Sequence, residues 1–219
     1  MLAKDLISND TPTLFPDMTV IQAITIMEEF KINSLPLIES GEYICLVSDK
    51  QLLEIADHNQ EIGYPTGFSL SVKDSNHIFD VLDIFSQSNL DILPVVDENN
   101  KYLGSINDKT LLKELANICY ASSPGAIIQL EINRQDLMIS ELGRLAEQNN
   151  ARIINIFTYP DKQNDKLQVF VKVDLENAID YLRGLERFHY NVIAHYHHEG
   201  ITDEAAKHRI EELLYYIEM

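Results

Sequence analysis

A chain of 219 residues, 45% apolar and 24% charged, is long enough for two compact domains and has the balance of an ordinary globular protein. Its 35 acidic against 17 basic residues give a formal charge of −18, a field that repels polyanions and argues against nucleic acid and anionic membrane as partners. No apolar run approaches the ~20 residues of a membrane span, and the N-terminus MLAKDLISND lacks a signal-peptide core, so a cytoplasmic protein is expected.

In chain order, a short strand is expected near Thr13 to Phe15, then a helix whose Val20, Ile24 and Met27 follow the i, i+4, i+7 spacing of one face. Thr19 and Gln22 are placed as a capping box at its start. Next come the apolar run LPLIE, a turn at ESGEY, a second apolar run through Cys45, and DKQLL. The same order then recurs. Pro94 lies 58 residues after Pro36, and at that offset Ile78, Leu82 and Phe85 match Val20, Ile24 and Met27. The second turn, DENNKY, is one residue longer, so from Tyr43 and Tyr102 onward the offset is 59. The second leading strand is expected at Phe68 to Val72. Asp49 and Asp108 precede leucine-rich helices and are expected to cap them. Cys45 and Cys119 lie in no metal-type spacing and are expected to be small buried hydrophobes.

Two tandem units of this length, each with a helix, an LPVVD-like strand, a turn and a GxxSxxD-like end, resemble a pair of CBS domains. The resemblance implies a module with two clefts between the units, where adenosyl ligands of the AMP, ATP or S-adenosylmethionine type bind. It implies cleft positions at Thr13, Leu35, Pro36, Ser48 and Gln51 in the first unit, and at Ser71, Leu93, Pro94, Asn107 and Thr110 in the second. The ribose would be held by an acid ending the motif, with the hydroxyl near phosphate. Here Cys45 replaces the motif glycine of the first unit, Asn107 replaces the hydroxyl of the second, and Gln51 and Thr110 stand where the acids would be. Neither is a charged acceptor, and charge-assisted hydrogen bonds are the stronger kind. Two readings stay open: a sensor of a small metabolite, and a scaffold that binds none.

The small-residue break YASSPGA, Tyr120 to Ala126, separates a second half. Ile128, Leu130 and Ile132 alternate along one strand, and Leu167, Val169, Val171 and Val173 along another. RIINIFTYP and NVIAHYHH supply two more strands, and Leu137 to Asn149 and Leu175 to His189 have helical spacing. The order βαββαβ is the ferredoxin-like plan. After a CBS pair it resembles an ACT domain, and the combination is similar to the acetoin-utilisation accessory proteins of bacteria. In ACT domains that sense amino acids, the loop after the first strand carries a glycine. Here that loop is NRQDL, without one, and Asn133 and Arg134 are the implied ligand contacts, since the guanidinium fork suits a carboxylate.

His189, His195, His197, His198 and His208 crowd the last third, and His195 and His197 share a strand face, an arrangement that suits a transition metal and equally a polar, exposed strand face, so no metal is expected. From Ile201 to Met219, Ile210, Leu213, Leu214 and Ile217 form one face of an amphipathic helix, expected to pack on its own sheet or on a second copy. Nothing resembles a nucleophile with a paired base or a phosphate-cradling glycine loop. The chain thus reads as an α/β (α+β) protein with CBS units at 1–62 and 63–120, an ACT-like domain at 125–199 and a terminal helix at 200–219. The expected function is that of a non-enzymatic, homodimeric regulatory module without a certain cofactor.

Overall fold

The computed structural model describes residues 1–8, 10–67, 69–161 and 165–198. Phe68, His208 and the amphipathic segment at 200–219 lie outside the described residues. The chain divides into two compact units, Met1–Leu115 and the part from Ala116 on.

In the first unit the sequence repeat is a structural repeat. Helix α1 (Val20–Phe30) leads to the antiparallel strands β1 (Ser34–Glu39) and β2 (Glu42–Ser48) and to helix α2 (Asp49–Leu53). The second pass gives β3 (Val72–Lys73), α3 (Ile78–Gln87), β4 (Ile92–Val96), β5 (Tyr102–Asn107) and α4 (Asp108–Ile118). Leu14 makes a parallel bridge to Leu37, and Val72, 58 residues on, pairs in parallel with Val95. The first leading strand is therefore a single bridge rather than a run over Thr13 to Phe15, and the second begins at Val72. Both hairpins carry a bulge at the same place, after Leu37 and after Val95. Such a bulge lets an extra residue, here Ile44 or Leu103, sit without a partner.

The caps explain where the helices begin. The Thr19 amide donates to Gln22 Oε1 at 2.9 Å, and Thr19 Oγ1 accepts from the Gln22 amide at 3.4 Å. At the matching place His77 caps α3, its amide donating to Asp80 Oδ2 at 2.9 Å and its Nδ1 accepting from the Phe79 amide at 3.3 Å.

The core of the second repeat contains residues from the start of the chain. Ala3 and Leu6, on a short 3-10 turn, are 0% and 1% exposed and pack with Val72, Ile78, Val81, Leu93, Val95 and Ile106. Reciprocally, Ile62, which follows the first repeat, packs into that repeat's core beside Leu14, Val20 and Leu35. The edges obey the same rule, with Leu2 bridging His77 and Glu61 bridging Thr19.

The second unit is a four-stranded antiparallel sheet made of β6 (Gly125–Asn133), β7 (Ile153–Pro160), β8 (Lys166–Val173) and β9 (Asn191–His198), in the order β7-β8-β6-β9. With α5 (Ile139–Gln148) after β6 and α6 (Ile179–Arg187) after β8, this is the ferredoxin-like plan. Ala126, Ile128, Leu130, Val169, Val171 and Val173 face α5 and α6, whose Leu142, Leu145, Tyr181 and Leu185 complete the core. The opposite face carries no helix of its own among the described residues, because both crossovers lie on one side.

Candidate functional site

The helix starts at Asp49 and Asp108 hold the groups expected to meet a ligand. The residue that caps each helix lies one position earlier, because capping needs an extended residue just outside the first turn. Ser48, at φ −94 and ψ 154, is that residue for α2. Its Oγ accepts from the Gln51 amide at 3.3 Å, its own amide donates to Gln51 Oε1 at 2.9 Å, and Gln51 Nε2 donates to the Thr66 carbonyl at 3.1 Å. For α4, Asn107 Oδ1 accepts from the Thr110 amide at 2.7 Å. The expected caps Asp49 and Asp108 instead occupy the first helical position, each accepting from the next residue's amide, where a carboxylate still favours the positive end of the helix.

Two hollows correspond by the repeat offset, and the first of them lies between the repeats. One, of about 250 Å³, is lined by Thr11, Phe30, Lys31 and Ile32 from the first repeat and its lead-in, with Asp10, Asp91, Asn107 and Lys109 among its other walls. The other, of about 460 Å³, is lined by Ser69, Leu70, Ser88, Asn89 and Leu90, the counterparts of Thr11, Pro12, Phe30, Lys31 and Ile32. They differ in chemistry: the first holds two lysines, carboxylates and an exposed aromatic ring, whereas the second has no charged wall residue among the described residues. Ser88 Oγ in the second is buried without a hydrogen-bond partner among the described residues. Asp91 is partly committed, accepting at 3.0 Å from the amide of Asn33, its counterpart in the first repeat.

Of the positions named from the sequence, Asn107 lines the first hollow. Leu35 and Leu93 are 0% exposed, Pro36 and Pro94 are buried in β1 and β4, and Thr13, Ser48, Gln51, Ser71 and Thr110 are half-buried. Linear reading missed Asp10, Phe30 and Lys31. Their signal was faint: Lys31 has positive φ (54°) at the end of α1, and Phe30 is a large apolar residue 47% exposed.

In the second unit a hollow of about 430 Å³ opens beside the NRQDL loop, with Glu131, Asn133, Asp136, Glu141, Lys166 and Tyr190 in its wall. Lys166 pairs with Glu131 at 2.6 Å, Asn133 donates to Asp136 at 2.7 Å, and the Tyr190 hydroxyl donates to Glu141 at 2.7 Å. Burial and that carboxylate push the Tyr190 phenol well above its ordinary range. The expected contact Arg134 is turned to Asp165 at 3.3 Å, an exposed pair of little energetic weight. His195 and His197 stack edge to face at 5.5 Å, and His197 contacts the Glu176 carbonyl. Among the described residues no three His, Cys, Asp or Glu side chains are grouped to hold a metal ion. Cys45 is buried and burial raises its thiol pKa, whereas Cys119 is only half-buried, because it lies in the turn after α4. No helix among the described residues is long and apolar enough to cross a membrane.

Residues 3–58 and 66–117 each match the family model of the CBS domain. Curated relatives from Methanocaldococcus jannaschii include an inosine-5'-monophosphate dehydrogenase, 25% identical over 51% of this chain and 23% of its own length, and an uncharacterized protein, 31% identical over 48% and 44%. The chain therefore spans less than half the length of these relatives. Similar solved structures include a CBS domain pair/ACT domain protein from Thermotoga maritima, 22% identical over 53% of this chain and 98% of that chain with a TM-score of 0.49. CBSX2, solved in complex with AMP, is 22% identical over 53% and 97%, with a TM-score of 0.48.

Proposed function

Because residues 3–58 and 66–117 are a tandem CBS domain pair, we propose that the protein is a regulatory module that binds a nucleoside phosphate or adenosyl compound in the first inter-repeat cleft and alters a partner. The carrying observation is the convergence of Phe30, Lys31, Lys109 and Asp10 on one cleft. An exposed aromatic ring stacks a purine. Two ammonium groups suit a phosphate, and a carboxylate accepts from both ribose hydroxyls. Asp10 thus takes the role that Gln51 and Thr110 lack the charge to fill. A ligand that binds one arrangement of the repeats better than another shifts the population towards it, which is the physical content of regulation here.

We assign the ferredoxin-like unit as ACT-like, and the active form as a homodimer. The dimer is supported by paired exposed apolar residues at matching places on the helices: Ile21 and Phe79 on α1 and α3, Leu53 and Leu112 on α2 and α4. These four residues are 45% to 69% exposed.

Calorimetric titration with AMP, ATP and S-adenosylmethionine tests the ligand. At least one should bind, and Lys31→Ala or Lys109→Ala should each weaken the phosphate-bearing ligands about tenfold, the worth of one charge-assisted hydrogen bond. The absence of both heat and a melting-temperature shift at millimolar ligand would refute it, since saturation must stabilise the folded form. That outcome would favour the scaffold reading, which draws support from Ser48, Gln51 and Asn107 being engaged in helix caps.

A further inference from the structure

The helix-free face of the second unit's sheet carries a hollow of about 330 Å³ lined by Cys119, Ala121, Ile127, Phe157, Phe170 and Lys172. Among the described residues its walls are apolar but for one group. Lys172 is 3% exposed, and its ammonium donates to the Tyr120 carbonyl. Lys166, six residues earlier on β8, shows the usual solution: its side chain is 39% exposed and is paired with Glu131 at 2.6 Å. Lys172 is far more deeply buried, yet no ion pair joins it to a carboxylate among the described residues. A buried cation held by a single neutral acceptor is costly, and an anion brought into the hollow repays part of that cost.

We propose that this hollow is a binding site for a small monocarboxylate with an apolar body, its carboxylate on Lys172 and its hydrocarbon against Ile127, Phe157 and Phe170. The volume lies at the small end of ligand pockets, which run from about 300 to 1,000 Å³. A single ammonium balances a single charge, and the net charge of −18 disfavours a dianion. The apolar walls exclude a heavily hydrated sugar phosphate and favour an aliphatic or aromatic acid. The site belongs wholly to the second unit and does not depend on nucleotide binding in the first.

The test uses the full chain with phenylacetate and its neutral isostere phenylacetamide, followed by calorimetry and by alkylation of Cys119 with iodoacetamide. Phenylacetate should bind, and the amide should bind at least about tenfold more weakly. Lys172→Met should abolish the difference, Lys172→Arg should keep it, and bound phenylacetate should slow alkylation of Cys119 while the buried Cys45 stays silent. Three results would overturn the proposal: no binding of phenylacetate at millimolar concentration, equal binding by wild type and Lys172→Met, or a Cys119 already blocked in the free wild-type chain. The last would mean that residues 199–219 or a second copy cover the hollow.

Discussion

Tyr43 is 3% exposed, and its hydroxyl donates to the Leu70 carbonyl at 2.9 Å. Burial, helped by the neighbouring Cys45 and Tyr102, pushes its phenol far above the ordinary tyrosine value. Burial does the same for Tyr181, which is 0% exposed and donates to the Leu142 carbonyl at 3.2 Å. A phenol with its folded pKa above its unfolded one keeps a proton that the unfolded chain gives up. Stability should therefore be unaffected near neutrality and fall as pH rises above about 10, by about 1.4 kcal/mol per pH unit for each such group. Tyr43→Phe should make the alkaline fall in the first unit shallower by one proton, and Tyr181→Phe should do so in the second. Urea midpoints measured from pH 8 to 11 read this out, and an unchanged slope would show that these phenols ionise freely in the fold. Ser48 makes the second case. As the cap of α2 it should cost about 1 kcal/mol when changed to alanine and only a few tenths when changed to glycine. Equal losses for the two variants would contradict a capping role. The sequence named Ser48 but not its use, because a hydroxyl before a helix serves a cap and a phosphate equally well.

Elements show why the two repeats are not interchangeable. Gly104, at φ +148, has Ile7 packed so close that an added Cβ would lie 2.3 Å from its Cγ2. Its counterpart is Cys45, and there the approaching chain carries the small residue: a Cβ on Gly67 would lie 2.5 Å from the Leu46 carbonyl oxygen and 2.7 Å from Cys45 Sγ. Each junction thus pairs a small residue with a larger one, in opposite order. Gly104→Ala should destabilise the first unit by about 1–3 kcal/mol through overpacking. Combining it with Ile7→Ala should recover about 1 kcal/mol relative to the sum of the single changes. Strict additivity in urea denaturation would mean that the N-terminal turn does not press on β5. The elements themselves were largely legible, since amphipathic spacing placed α1, α3, α5 and α6, and alternation placed β6 and β8. Their edges were less so, because a single bridge at Leu14 leaves no periodic trace.

For the whole molecule, the proposed dimer rests on Leu53 and Leu112, 59% and 69% exposed. Light scattering should give a dimer for the wild type and a monomer for Leu53→Glu/Leu112→Glu with unchanged circular dichroism. The wild-type dimer should tighten with salt, because two chains of charge −18 repel each other. A wild-type monomer at tens of micromolar would end that proposal. The sequence by itself determined the duplicated first half, its 58-residue offset and the βαββαβ order of the second, since each is written in local periodicities that backbone geometry enforces. Only the tertiary structure decided that Ala3 and Leu6 complete the core of the second repeat, that Asp10, Phe30 and Lys31 meet Asp91 and Lys109 in one cleft, and that Lys172 lies buried under an apolar sheet face. These groups are distant along the chain. What brings them together is the burial of whole apolar faces, a sum over many residues that no short stretch records.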